Sequence, residues 1–358
     1  MADVGQLLPS PDISIIFKTL ATTVIQRSAL GILYVILKDG TQTGKYITIN
    51  TVADLNEKEW DEKSIKLIKL GMYTLSPKKI VVRVQTVDEE ISAVLKELKQ
   101  RKMNWLAAPT ATQEEDTTIV TWVKQVFGTS AIDKTVKYIS SYAKNTDHVA
   151  VVELANKGTY KSVLGDFTAQ EYTVALAGMF AGLPLNRSGD NLTMSDLIEV
   201  EDTEPELGKL SLYNDDGKVR INMAVNSKTT FDSTWKSDTR FIKIVEGMCM
   251  TVDDLRDTYR NYWMGLYINN YDNKSNFCSN VNKIYFKDLQ PNVLSADYDN
   301  KIGISYEKQK QVVVADGKDP DEMTELEILK YPSGHQVFLA ADVRYANTMV
   351  DLQVVIAM

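Results

Sequence analysis

Residues 31–38 (GILYVILK) form a short, continuous apolar run rich in β-branched and aromatic side chains, closed by Asp39-Gly40. A run of that length bounded by a turn reads as a buried strand. Residues 46–49 (YITI) read as a second strand. Residues 57–74 read as a helix, with Trp60, Leu67, Ile68 and Met72 near one face and Asn56 as its cap. Behind Pro77, the run Ile80-Val81-Val82-Arg83-Val84 predicts a strong strand. Ile91, Val94, Leu95 and Leu98 then recur at i, i+3, i+4 and i+7, one face of a helix.

The alternation goes on through the next hundred residues. Residues 104–108 (NWLAA) predict a strand, and Thr112 with Glu115 forms a capping box ahead of Ile119, Trp122, Val123, Val126 and Phe127. His148 to Leu154 predicts another strand, and Thr168 with Glu171 a second capping box, for a helix ending at Gly182-Leu183-Pro184. Strands alternating with helices of this length imply an α/β sheet that is at least partly parallel.

After Pro184 the pattern changes. Residues 186–218 are acidic and turn-rich; Asn214-Asp215-Asp216-Gly217 separates two apolar stretches and predicts a β-hairpin. Residues 226–239 are rich in Ser, Thr and Asp and read as a boundary. A long helix is expected through Leu255, Tyr259, Tyr262, Trp263 and Leu266, with Thr251 capping a 251–266 segment. Asp319 to Lys330 predicts one short helix, and 337–345 (VFLAADVRY) alternates again.

Both ends of the chain alternate with period two, the signal of a half-buried strand. Ile13, Ile15 and Phe17 do so behind Pro9-Ser10-Pro11; Val350, Leu352, Val354, Ile356 and Met358 do so at the other end. Two arrangements satisfy such strands. Either they tuck into their own domain, or they reach into neighbouring copies, since an open sheet edge is a template for another chain.

Composition narrows the function classes. With 358 residues, 44% apolar and 25% charged, the chain is an ordinary globular one of two to three domains. A net charge of −8 argues against a general nucleic-acid binder, which needs clustered Lys and Arg. No window approaches the uninterrupted apolar length of a membrane span, so no membrane insertion is expected. The start, Met1-Ala2-Asp3-Val4-Gly5, lacks the basic and apolar regions of a secretory signal, so folding in the cytoplasm of the producing cell is expected. The two cysteines, Cys249 and Cys278, read as reduced core thiols.

Candidate chemistry is sparse. The sequence has no phosphate-binding loop and no dinucleotide fingerprint. Neither His148 nor His335 has a second ligand at metal spacing. Asp253-Asp254 read as helix-start acids rather than an acid–base pair. The aromatic group Tyr259, Tyr262, Trp263, Tyr267 and Tyr271 reads as core or interface rather than a base-stacking platform. No catalytic, cofactor or metal site is therefore expected. The competing class, a cytoplasmic α/β enzyme or nucleotide-binding module, needs a phosphate loop or clustered polar catalytic groups that the sequence does not offer.

Three stretches carry a resemblance to a known family. Pro9 to Asp39 is an arm containing Pro, a short Arg/Ser link and a first buried strand. Ala175 to Leu185 (ALAGMFAGLPL), preceded by Glu171-Tyr172, is similar to an A-G-x-x-A-G-x-P helix end; Tyr331 to Met358 resembles a final pair of strands. In this order they resemble the tail sheath proteins of contractile phages and phage-tail-like bacteriocins of Gram-positive hosts. Another virion component, a baseplate or tube protein, fits less well, because tube proteins are typically smaller and mostly β.

The resemblance implies a non-enzymatic assembly protein, located in a virion tail or phage-tail-like particle assembled in the bacterial cytoplasm. Its partners would be itself, as hexameric rings stacked into a helical sheath, then the tail tube protein and the baseplate and terminator proteins. The sheath would polymerise extended and contract to drive the tube through a cell envelope. The fold expected is α/β, with mixed sheets flanked by helices, two domains and strand-like arms. The divisions expected are an N-terminal arm at 1–20, an α/β domain at 21–232, a tube-facing domain at 233–346 and a C-terminal arm at 347–358. Ile13, Ile15, Phe17, Val350, Leu352, Val354 and Ile356 would carry the arm contacts. Lys274, Lys283 and Lys287 would either meet acidic tube residues or form a solvated helix face.

Overall fold

The structure, a computed structural model, describes residues 31–129, 131–350 and 352–355. Ile13, Ile15, Phe17 and Ile356 lie outside the described residues. The described chain is mixed α/β, with several sheets flanked by helices, and divides into two compact units: residues 31–252 with the segment from 347 on, and residues 253–346.

The first unit is built on a seven-stranded sheet. Its strands are β1 (Ile32–Lys38), β2 (Tyr46–Ile49), β3 (Lys79–Gln85), β4 (Trp105–Ala107), β5 (Lys137–Ser140), β6 (Val151–Leu154) and a short late strand, Lys209–Leu210. Across the sheet the order is Lys209–Leu210, β6, β5, β4, β1, β3, β2, all parallel except the β2–β3 pair. Parallel strands need covered faces. Four helices cover them: α1 (Glu62–Leu70), α2 (Ile91–Leu98), α3 (Gln113–Phe127) and α4 (Ala169–Gly182). Along β1, Leu33, Val35 and Leu37 join one apolar cluster with Leu67 and Ile68 of α1 and Tyr172 to Ala181 of α4. Tyr34 and Ile36 face the other way, into a cluster with α2 and α3. The continuous apolar run is thus one central strand read by two cores.

Both capping boxes form as the spacing predicts, Thr112 with Glu115 and Thr168 with Glu171. The helix expected over 57–74 is shorter. Asp61, not Asn56, caps it by accepting the Ser64 N–H, and a separate 3-10 turn occupies Glu57–Glu59. The motif at the end of α4 has a direct cause in packing. A Cβ on Gly178 would sit 1.9 Å from the Gly71 carbonyl oxygen, and one on Gly182 would sit 2.7 Å from the carbonyls of Leu75 and Ser76. Two glycines four apart put a side-chain-free stripe on α4, so the chain leaving α1 lies directly on its backbone.

Two small sheets complete this unit. β7 (Tyr160–Ser162), β8 (Gly165–Phe167) and β9 (Leu197–Val200) form one. The stretch 186–218 is not only turns: after β9 it supplies β10 (Lys209–Leu210), which extends the main sheet beside β6, and then β11 (Leu212–Asp215). β11 pairs with β12 (Lys218–Ile221) through Asp216 and Gly217, whose φ values of 46° and 72° are the left-handed pair of a tight hairpin turn.

The next helix, α5 (Ile242–Tyr262), begins well before Thr251. Thr251 therefore sits mid-helix and bonds back to the Gly247 carbonyl at 2.9 Å, as helix-interior threonines do, instead of capping. The division between the units falls at 252/253. In the second unit, α6 (Tyr271–Asn280) runs through a π-turn at Val281–Tyr285 into α7 (Phe286–Leu289). β13 (Lys301–Ile304), α8 (Tyr306–Ala315), α9 (Glu325–Lys330) and β14 (Leu339–Asp342) follow. β13 and β14 pair antiparallel as a two-stranded sheet.

Candidate assembly sites

The C-terminal segment leaves its apolar side chains in solvent. Met349 is fully exposed, Leu352 is 86%, Val354 65% and Val355 96% exposed, and Val350 is also counted among the exposed residues. Among the described residues of 347–355 there is no strand pairing. Chain segments usually end in polar sequence, so a run of exposed aliphatics calls for a cover.

A matching feature lies on the second unit. The Asn282 side chain closes one edge of β13: its Oδ1 accepts the Ile302 N–H at 2.7 Å and its Nδ2 donates to the Ile302 carbonyl at 2.9 Å. Ile302 therefore turns its backbone away from β14, which makes Ile302–Ala341 a non-hydrogen-bonded pair. By alternation, the backbone groups of Leu339 and Ala341 face the outer edge of β14. Among the described residues no further strand covers that edge, and Ala340, Ala341 and Asp342 are exposed.

Behind this edge sits an aromatic pocket of about 330 Å³. Tyr259, Trp263, Tyr267 and Phe277 form its apolar wall, and His335 and Val337, just ahead of β14, form part of its rim. Trp263 stands perpendicular to Phe277 at 5.2 Å and packs on Tyr267 at 4.5 Å. The sequence marked this aromatic group but not the cavity, which depends on Gly265 turning the chain after α5 with φ 76°. Met264 and Ile268 at the mouth are 56% and 79% exposed.

The three lysines separate. Lys274 is buried, donates to Ser333 Oγ at 2.9 Å and lines the aromatic pocket, its pKa lowered by burial. Its ammonium is not presented to a partner's surface in this conformation. Lys283, in the π-turn, and Lys287, in α7, are exposed.

An α/β enzyme would place its chemistry at the carboxyl ends of the parallel strands. Here those groups bind one another. Glu115 accepts Lys38 at 2.6 Å and Gln85 at 3.1 Å, and Arg83 is paired with Glu89 and Glu97. Asp116, fully buried at the start of α3, accepts Tyr138 at 2.7 Å and Ser140 at 2.6 Å, its pKa raised by burial. His148 is buried, edge-on to Phe127, and its Nδ1 accepts the Ala150 N–H; burial pulls its pKa down to about 4. Asp254 is mid-helix and accepts Tyr285 at 2.8 Å, so the Asp253-Asp254 pair does not open a helix. Cys249 and Cys278 are both buried. Among the described residues no group of three or more His, Cys, Asp or Glu could hold a metal, and no helix is long and apolar enough to cross a membrane.

No family model matches the chain. It is 28% identical to the tail sheath protein of Clostridium phage phiCD119, over 97% of this chain and 99% of that one. Its fold matches the sheath tail protein of Listeria innocua with a TM-score of 0.65 at 12% identity, over 94% of this chain and 99% of that one. It matches the helical sheath of the anti-feeding prophage in its contracted state with a TM-score of 0.65 at 11% identity, over 100% of this chain and 99% of that one. The chain is similar to a phage tail sheath protein over nearly its whole length, and it has the fold of a sheath tail protein of known structure.

Proposed function

We propose that this chain is the structural subunit of a contractile tail sheath. Copies polymerise as helically stacked hexameric rings around an inner tube, held in a metastable extended state, and contract to drive the tube through a cell envelope. The observation that carries this reading is a mismatch within one chain: an uncovered strand edge on β14 and an uncovered alternating apolar segment at 349–355. In this reading each completes the other between copies, by strand addition. A head-to-tail contact of this kind does not close on itself and so builds a filament.

In this reading the N-terminal residues Ile13, Ile15 and Phe17 form a second added strand, and Val350, Leu352, Val354 and Ile356 form the first. Residues 233–346 form the tube-facing domain, 21–232 the outer α/β domain, and 1–20 and 347–358 the arms. Lys283 and Lys287 meet an acidic tube surface. The tail tube, baseplate and terminator proteins are the other partners; the chain needs no cofactor, performs no catalysis, binds no nucleic acid and works in a virion tail or phage-tail-like particle after assembly in the host cytoplasm.

Electron microscopy of the purified full chain tests the proposal. Striated cylinders with a hollow lumen are expected. A protein that stays monomeric at all concentrations, with and without tube protein, is not a sheath subunit.

A further inference from the structure

We propose that the aromatic pocket beside β14 is the anchor site for the apolar segment 349–355 of a second copy. This rests on the strand-addition reading and adds to it a specific socket. A strand laid along the outer edge of β14 runs toward His335 and Val337, which belong to the pocket rim, so one of its alternate side chains is delivered to the mouth. The mouth is already apolar, with Met264 and Ile268 exposed, and the segment offers Met349, Leu352 and Val354 in kind.

The polar groups of the wall point the same way. Asn269 Oδ1 is buried with no hydrogen-bond partner, while its Nδ2 holds the Gly334 and Gln336 carbonyls at 2.8 Å. An orphaned acceptor is costly, and a backbone N–H of a docked strand would satisfy it. The apolar character of the mouth thus matches the face of the segment that carries Val350, Leu352 and Val354.

Oxidative capture between introduced cysteines tests the anchor, since the native thiols are buried. Full chains carrying Ile268→Cys and Leu352→Cys are mixed under conditions that favour assembly. A disulfide between the two copies is expected, and none when Val87→Cys, an exposed residue of the other unit, replaces Ile268→Cys. Disulfides demand close Cβ atoms, so capture reports docking rather than encounter. If Ala341→Cys captures Leu352→Cys but Ile268→Cys does not, strand addition stands and the anchor is wrong. If neither captures it, both fail. If the double variant Ile268→Cys/Leu352→Cys closes within single chains at high dilution, the occupant is the chain's own segment and the proposal is overturned. Independently, Ile268→Asp should weaken binding of a synthetic 347–358 peptide by about tenfold, as loss of one apolar anchor does; unchanged binding contradicts the anchor.

Discussion

The unit at 31–252 and the unit at 253–346 differ in the strand edge and the pocket that the second leaves open. In the first, the Glu246 carboxylate gathers two buried donors. Trp105 Nε1 donates to Glu246 at 2.6 Å, and buried Lys137 donates to the same carboxylate at 3.0 Å. In the second, a buried lysine faces a hydroxyl, an amide oxygen has no partner, and a strand edge and an aromatic pocket lie open. The segment at 349–355, which follows that unit in the chain, exposes aliphatic side chains. In the proposed function, other copies complete the strand edge and the pocket of the second unit. Stability and assembly are therefore separable by mutation, and each prediction below aims at one without the other.

The largest expected effect is on assembly alone. Ala341→Pro removes an outward-facing N–H from an edge strand, where proline is tolerated because the ladder bond on the other side is untouched. It should abolish filaments with an unchanged melting curve; filaments at normal yield would contradict an edge-mediated contact. Deleting 350–358 should act the same way. Replacing both Ile15 and Phe17 with Asp should likewise block assembly with little effect on the monomer's melting.

The reverse case is Gly178→Val. Its side chain would meet the Gly71 carbonyl, a backbone atom that cannot swing aside. A loss of about 3 kcal/mol or more in urea unfolding is expected, at the top of the range for overpacking.

His148 gives the first unit a pH dependence. Its folded pKa is lowered from 6.5 to about 4, chiefly by burial, with Lys124 and Lys228 opposing and Asp147 favouring its charge. The unfolded chain binds the proton first, so stability is full above pH 6.5 and is lost as pH falls toward 4. The loss approaches about 3 kcal/mol. In His148→Gln this slope should disappear from denaturant titrations across that window; an unchanged slope would assign it to other groups.

Thr112→Ala should cost about 1 kcal/mol by removing the cap of α3. The smallest effect expected is from Lys283→Glu with Lys287→Glu. Both side chains are exposed, so folding should not change. Tube-templated growth should weaken, with the unmodified protein losing growth as salt rises. Equal growth at all salt concentrations would remove these lysines from the tube contact.

How much of this was legible in the sequence follows from what each residue faces. β1, β3 and α2 were legible because their partners are apolar, so burial shows as periodicity. Both capping boxes were legible because their bonds are local. β5 (Lys137–Ser140) was missed: it is buried throughout, yet begins with a lysine and ends with a serine whose partners, Glu246 and Asp116, are remote in sequence. The start of α5 was displaced for a related reason, since Ile242 to Met250 is apolar on several sides and shows no single face. The assembly features divide the same way. The apolar alternation at 350–358 stood out, but the open edge of β14 is a property of strand pairing, and the pocket of a turn at Gly265.

Hydrogen exchange at the amides of Leu339 and Ala341, compared between the isolated chain and the assembled filament, tests the central claim most directly. Fast exchange is predicted in the isolated chain, where no strand covers that edge, and strong protection in the filament. Amides already protected in the isolated chain, or still exchanging freely in the filament, would contradict it.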